Sequence, residues 1–289
     1  MRLHLRTDYW DDRLARAEFQ AFIRRIHHLD FMLWQDMGCW DPLYRPFSYF
    51  AGDRLVASTC LYSMDMTIQG ERRRVAQISG VGTLPEFRRR GLNRRLTEAA
   101  LEWARPDHDF VYLFADEEAF PFYAATGFRP VQEQFARFRA PAVRPRPARQ
   151  PVDPADPGQL ARLRRMAERR APVSRDLGVL NVELLLFHAL YPLRELLSFV
   201  PELEVYVAFA RDETGLRLFD VIGEHVPAFE EIWPFLSEGR AETVDFQFMP
   251  DRMDLDGLEW LPLEGNGTHL MGEFPLESGP FVFPFTAHA

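Results

Sequence analysis

The chain of 289 residues carries 34 basic residues, all arginine, against 43 acids, for a formal net charge of −9 with 47 % apolar residues. This length suits two domains that each bury a core. No apolar run approaches the roughly 20 residues of a membrane-spanning helix, and the negative balance opposes a phosphate backbone, so neither a membrane nor a nucleic acid is an expected partner.

The N-terminal MRLHLRTDYW has no apolar stretch of the secretory kind, which predicts a cytoplasmic protein. Arg2–Arg6 is a candidate strand and Asp12–His27 an amphipathic helix. Ile26–Arg45 links that helix to a hairpin of Ser48–Ala51 and Arg54–Met66 around Gly52-Asp53, where Leu55, Ala57, Thr59 and Leu61 alternate as in a half-buried strand. An apolar strand over Gln77–Thr83 feeds a turn at Leu84–Arg90 that bends at Gly91. The helix that follows keeps Leu92, Leu96, Ala99, Ala100 and Trp103 on one face. Asp109–Ala115 reads as the next strand, Glu117–Ala125 as a short helix, and Phe128–Phe138 as a closing strand.

Residues 140–157 hold six prolines and read as an extended linker. It separates a first domain, residues 1–139, from a second, residues 158–289. In the second, Gly158–Arg169 and Val179–Tyr191 are predicted helices. Val205–Ala210 and Leu216–Ile222 pair around Thr214-Gly215, Ala228–Leu236 is a helix interrupted near Pro234, and Thr243–Phe248 is a strand. Charge divides unevenly: residues 1–150 hold 23 arginines against 19 acids, and residues 151–289 hold 11 against 24. The acidic half is either a wall that concentrates a cationic amine or a device for solubility.

The chemistry points to Val81–Leu96, VGTLPEFRRRGLNRRL. A strand–turn–helix of this kind aims backbone N–H groups at one spot beside the positive end of a helix dipole. Consecutive Arg88, Arg89 and Arg90 add guanidinium forks for phosphate oxygens. A pyrophosphate-bearing cofactor is the expected ligand. A P-loop is excluded because it needs a lysine, and a Rossmann turn because only Gly91 is present. The turn that remains is R/Q-x-x-G-x-G/A, matched by Arg88-Arg89-Arg90-Gly91-Leu92-Asn93 except that Asn93 replaces the final small residue.

This segment resembles the pyrophosphate turn of the GNAT (GCN5-related N-acetyltransferase) superfamily, and Phe122-Tyr123-Ala124-Ala125-Thr126-Gly127-Phe128 resembles its FYxxxGF signature. PEFRRRGLNRRL and Ala228–Asp251 are further similar to the Eis-like (enhanced intracellular survival) branch, whose members join an active GNAT domain, a degenerate GNAT-like domain and a sterol-carrier-like tail. The chain has room for the first two. The resemblance implies an α/β (α+β) fold: a mixed-sheet acyl-CoA acyltransferase domain followed by a degenerate duplicate, which carries no arginine–glycine turn.

On that resemblance acetyl-CoA is the acyl donor. Val81, Gly82 and Thr83 pair with its pantetheine arm, and Arg88, Arg89, Arg90, Gly91, Leu92, Asn93 and Arg94 hold its pyrophosphate. Tyr123 protonates the departing thiolate, a role suited to a phenol, unless it is only an aromatic at the core edge. Trp34 and Tyr44 line an acceptor pocket with Trp40, while Asp36, beside Asp30 and Asp41, holds ammonium groups; alternatively the aromatics fill an inter-domain core. Glu117 and Glu118 are candidate bases, although a helix start enriched in acids is the commoner reason for such a pair, and the branch suggests the terminal carboxylate of Ala289. No metal is expected, since His27-His28 are adjacent and Cys39 and Cys60 stand far apart. The expected activity is N-acetylation of a small cationic amine, aminoglycoside-like or polyamine, by direct attack. A silent acyl-CoA sensor or a transferase of another acyl group is the alternative. The oligomeric state is open.

Overall fold

The computed structural model describes residues 2–7, 9–146 and 148–289. β1 (Leu3–Thr7) leads into α1 (Arg13–His27), which starts where the Asp12 carboxylate accepts from the N–H groups of Leu14 and Ala15 at 3.0 and 3.1 Å. It stops at His28 in the left-handed region, φ +56°. Phe19, Phe22 and Ile23 form its buried stripe. After a short α2 (Met32–Asp36), three long strands form a meander: β2 (Tyr44–Ala51), β3 (Arg54–Ile68) and β4 (Glu71–Thr83). Then α3 (Leu92–Ala104) crosses to β5 (Phe110–Phe114), parallel to β4. α4 (Phe120–Ala124), β6 (Arg129–Pro130) and β7 (Gln134–Ala140) complete this half.

The second half runs β8 (Gln150–Pro151), α5 (Pro157–Ala167), β9 (Leu177–Val179), α6 (Val182–Leu190), β10 (Leu197–Val200), β11 (Val205–Asp212), β12 (Gly215–Ile222), α7 (Phe229–Leu236), β13 (Glu242–Phe246), β14 (Glu259–Pro262) and β15 (Thr268–Gly272). Asp156 caps α5, accepting from Gln159 N at 2.8 Å. Val179, predicted as helical, instead ends β9, a strand that pairs with the far end of β3.

The strands sort into two mixed sheets. The first runs β1-β2-β3-β4-β5-β15-β6, with β9 also on β3, and the second β14-β7-β13-β12-β11-β10-β8. Each has a parallel pair joined through a helix, β4/β5 in one and β12/β13 in the other. The sheets exchange a strand: β7 pairs with β13 and β14 in the second, and β15 takes the matching place between β5 and β6 in the first. The closing strand predicted over Phe128–Phe138 is therefore two strands in two sheets. The chain leaves the first at Pro130, which has no N–H to give a ladder. The buried Glu133 pins the crossing, its carboxylate accepting from Phe283 N at 2.6 Å and from the Thr268 hydroxyl. A glycine is required where β15 enters, because a Cβ at Gly267 would stand 1.9 Å from the carbonyl oxygen of Ala115.

Residues 281–289 form an irregular strap from the second sheet to the first. Phe285 N bonds the carbonyl of Gln247 at 2.9 Å. The Thr286 hydroxyl donates to Asp220 at 3.0 Å, and the Tyr112 hydroxyl donates to the carbonyl of Ala287 at 2.6 Å. Asp220 is itself held at 3.2 Å by Arg170, both side chains almost fully buried. A buried pair of this kind tolerates loss of neither partner. Among the described residues no helix is long and apolar enough to cross a membrane.

Candidate active site

The first sheet opens where its parallel pair ends. β4 and β5 are in register only at Ala76/Val111 and Gln77/Tyr112. Beyond them β4 continues from Ile78 to Thr83 with no strand alongside on that side among the described residues, while β5 stays paired with β15 through Phe114. Main-chain donors and acceptors along such an edge need partners. A bulge accentuates the opening: Ser58 pairs with Gly82 and Cys60 with Ser79, so β4 holds an extra residue there. Gly80 takes it in the left-handed region, φ +55°, where a Cβ would also press on the Tyr44 hydroxyl at 3.1 Å and Cys60 Sγ at 3.3 Å.

A cleft of about 560 Å³ occupies the opening. β4 supplies Ser79, Gly80 and Val81 to its wall, and the end of β5 supplies Phe114 and Asp116. Tyr123 projects into it from α4, 6 % exposed. Burial, and then the charge of Asp116, pushes its phenol up to about 12. It is thus held protonated throughout the neutral range, as a proton donor must be.

Residues 88–91 of the turn after β4 lie outside the cleft and are exposed, while Leu84 and Phe87 anchor the turn in the core. Arg89 and Gly91 are both left-handed, φ +60° and +67°, which folds the chain back before α3. The first N–H groups of α3 have no carbonyl one turn back to accept from them. Arg88 Nε donates to the carbonyl of Thr83 at 3.2 Å, and Arg90 lies over the Phe87 ring at 5.0 Å. No carboxylate pairs with Arg88, Arg89 or Arg90 among the described residues, whereas Arg94 is spent on Glu98 at 2.9 Å. Leu92 is buried as the first core residue of α3, so only its main chain can serve a ligand. Asn93 turns away from the helix start: its Oδ1 accepts from the Thr83 hydroxyl at 2.6 Å. An unpaired edge followed by a glycine bulge and an anion-ready helix start suits an extended ligand that carries main-chain-pairing groups and a phosphate.

The second half completes the cleft. Phe187 and Tyr191 from α6 and its end face Phe31 and Tyr44, and the strap brings His288 and Ala289. The His288 ring stacks on Phe114 at 3.7 Å, and His188 Nε2 bonds the His288 carbonyl at 2.8 Å. Ala289 reaches the root of the opening, at Gln77.

The proposed acceptor residues fare unequally. Tyr44 lines the cleft, whereas Trp34 lies deeper, 4 % exposed, donating from Nε1 to the carbonyl of Glu183 at 3.2 Å. Its ring packs on Phe187 at 5.6 Å and on Trp40 at 4.9 Å, so it joins the two halves. It also borders a small apolar crevice with Phe31, Tyr44, Tyr62, Phe187 and Ala289. Asp36 is exposed and does not line the cleft. Asp41 is buried, accepting from the Tyr62 hydroxyl and from Leu43 N at 2.8 Å. Glu117 and Glu118 occupy a short 3₁₀ turn after Asp116 and do not line the cleft either. Among the described residues no group of three His, Cys, Asp or Glu gathers as a metal site.

Sequence reading missed Gln77, Phe187, Tyr191, His288 and His27. The His27 ring lines the cleft, its Nε2 buried without a hydrogen-bond partner among the described residues, and burial lowers its pKa against a main-chain hydrogen bond at Gly80 that raises it. The Gly80 and Gly82 pair inside a strand pattern was the available sign of a bulge. No local pattern marks a residue that reaches the cleft from the other half.

Residues 36–131 match the model of the acetyltransferase (GNAT) domain family. Among solved structures, a conserved Enterococcus faecalis V583 protein of unknown function, described as a probable N-acyltransferase, aligns with 93 % of this chain and 72 % of its own at 13 % identity and TM-score 0.59. Eis1 from Mycobacterium abscessus aligns over 93 % and 73 % at 18 % identity and TM-score 0.52. A GCN5-related N-acetyltransferase from Anabaena variabilis aligns over 92 % and 72 % at 12 % identity and TM-score 0.56. These likenesses are of fold, and each extends over both sheets. No curated protein matches the sequence significantly.

Proposed function

We propose that this chain, which over residues 36–131 belongs to the GNAT acetyltransferase family and folds as a tandem of two GNAT-like sheets, is an acetyl-CoA-dependent N-acetyltransferase of small amines. The observation that carries the reading is the opening between β4 and β5, with Tyr123 in the cleft it creates. The thioester donor supplies an acyl group for transfer to an amine nitrogen. The chain's residues bind, orient and move protons around that event.

The free edge of Val81–Thr83 takes the pantetheine amides, and the bulge at Gly80 directs main-chain groups at the thioester end. Arg88, Arg89 and Arg90, with the N–H groups of residues 91–94, take the pyrophosphate. Tyr123 gives its proton to the thiolate that leaves, and its high pKa keeps that proton available. Where residue 289 carries the free α-carboxylate, that group sits by Gln77 within the same cleft and accepts the proton released by the ammonium form of the amine. The second sheet lends Phe187, Tyr191 and the strap as the far wall, which assigns it a shaping role.

Mass-spectrometric detection of N-acetyl product from acetyl-CoA across a panel of amines tests the reading. An acetylated amine absent from the Tyr123→Phe reaction supports it. Absence of product together with absence of acetyl-CoA binding removes it.

A further inference from the structure

We propose that the acceptor carries a single amine on an apolar body, aryl or branched alkyl, and is not a polycation. The inference rests on the acyl-transfer reading of this cleft and deepens it.

A polycation needs several uncompensated carboxylates at ammonium spacing, and the cleft does not offer them. Asp30 lines it but is engaged: Arg24 holds Oδ2 through Nη2 at 2.7 Å and Nε at 3.1 Å, and Met32 N bonds Oδ1 at 2.7 Å. Asp36 lies outside the cleft, and Asp41 is buried in the core on Tyr62 and Leu43. Of the acidic side chains on the cleft wall, Asp116 is left with no ion pair among the described residues. The acidity of the second half is also elsewhere: α6 contributes Phe187 to the cleft, while its Glu183 is tied to Arg164 at 3.0 Å.

The same wall is rich in rings. Phe31 and Tyr44 come from the first half and Phe187 and Tyr191 from α6 and its end in the second, with Ile23 and Ile78 also on the wall. Phe31 and Phe187 stand edge to face at 5.6 Å, an arrangement that presents ring faces and edges for another apolar group. A crevice that shares Phe31, Tyr44 and Phe187 with the cleft is bordered by Trp34, Tyr62 and Leu184, with room of about 20 Å³. That is space for one methyl-sized or ring-edge group. Ala289 borders both this crevice and the cleft that Tyr123 lines. An acceptor with its apolar body against Phe187 and the crevice thus brings one nitrogen to the transfer end, and aromatic faces also favour a single ammonium.

Calorimetric titration of the full-length chain tests this in three steps. Acetyl-CoA is titrated first, because failure there removes the acyl-transfer reading itself. The CoA-saturated protein is then titrated with 2-phenylethylamine and, separately, with spermine. The expected result is about tenfold or more tighter binding of 2-phenylethylamine, changing less than about threefold when salt is raised to about 0.5 M. Phe187→Ala should weaken it about tenfold, and Phe187→Leu should recover part of the loss, with acetyl-CoA titration of both variants reporting an intact fold. Tighter binding of spermine, equal binding of the two, or binding of neither to the CoA complex overturns the proposal while leaving the acetyl-CoA result standing.

Discussion

Gln77 and Ala289, 212 positions apart, hold each other by two hydrogen bonds: Ala289 N donates to Gln77 Oε1 at 2.8 Å, and Gln77 Nε2 donates to the Ala289 carbonyl at 3.3 Å. Gln77 is also the last β4 residue in register with β5. The strap from the second sheet is therefore fastened at the point where the first sheet opens. Gln77→Ala frees that end without touching the turn at Arg88–Gly91. We expect kcat to fall about tenfold or more with KM for acetyl-CoA nearly unchanged, read from steady-state thiol release. A short Gly-Ser extension after Ala289 should act in the same direction if its carboxylate takes the proton. Unchanged turnover in the extended chain removes that role.

Tyr123→Phe should lower kcat by about a hundredfold, the usual scale for a lost general acid, while acetyl-CoA binds as before. Because burial holds the phenol near 12, wild-type turnover should show no alkaline loss from this group below about pH 10. Equal kcat in the two proteins would make Tyr123 a packing residue.

Arg89 has no ion-pair partner among the described residues, so Arg89→Gln removes charge with little structural cost. The combined Arg88→Gln and Arg89→Gln variant should raise KM for acetyl-CoA about tenfold or more and leave kcat within about twofold. Arg94→Gln, already neutralised by Glu98, should do less.

The sequence announced the first sheet's centre more clearly than its edges. Leu55–Leu61 alternates and α3 carries a 3.6-residue stripe, both local patterns, and both elements lie within two residues of their expected bounds, but β3 is buried on both faces, with Val56, Ser58 and Cys60 fully covered, rather than half-buried. The exchange of β7 and β15 is non-local. Residues 134–140 and 268–272 are ordinary strand sequences, and the choice of sheet is made by Pro130, the buried Glu133 and the tight entry at Gly267. The site divides similarly. Arg88–Gly91 and Tyr123 are marked by motif. Phe187 sits in the apolar run VELLLFHAL of α6, where nothing distinguishes a cleft residue from a core residue. Asp30, Asp36 and Asp41 lie near the cleft aromatics in sequence, but hydrogen bonding commits Asp30 and Asp41 elsewhere.

Glu133 should penalise stability as pH rises. Burial pushes its carboxyl from 4.5 up to about 7, so the folded chain keeps a proton that the unfolded chain releases. Its contribution is intact below about pH 4.5 and is lost as pH rises to 7, on the order of 3 kcal/mol. Glu133→Gln keeps an oxygen for Phe283 N and should flatten this slope in urea denaturation between pH 5 and 8. An unchanged slope would show that Glu133 ionises normally.

His188 acts with the opposite sign. Burial, and the nearby Arg170 charge, lower it from 6.5 to about 4, with the bond to the His288 carbonyl opposing. The folded chain excludes a proton the unfolded chain takes up, so stability present above about pH 6.5 is lost as pH falls to 4, again on the order of 3 kcal/mol. His188→Gln retains an N–H for the His288 carbonyl and should blunt the acid limb. An acid limb as steep as wild type would assign the loss to other groups.

Amide hydrogen exchange with and without acetyl-CoA tests the central claim most directly, because it reports where the donor lies before any turnover. Slowed exchange concentrated at residues 78–83 of β4 and 89–94 of the turn and helix start is the result expected of a donor seated in the opening between β4 and β5. Protection elsewhere, or none at saturating acetyl-CoA, would contradict it.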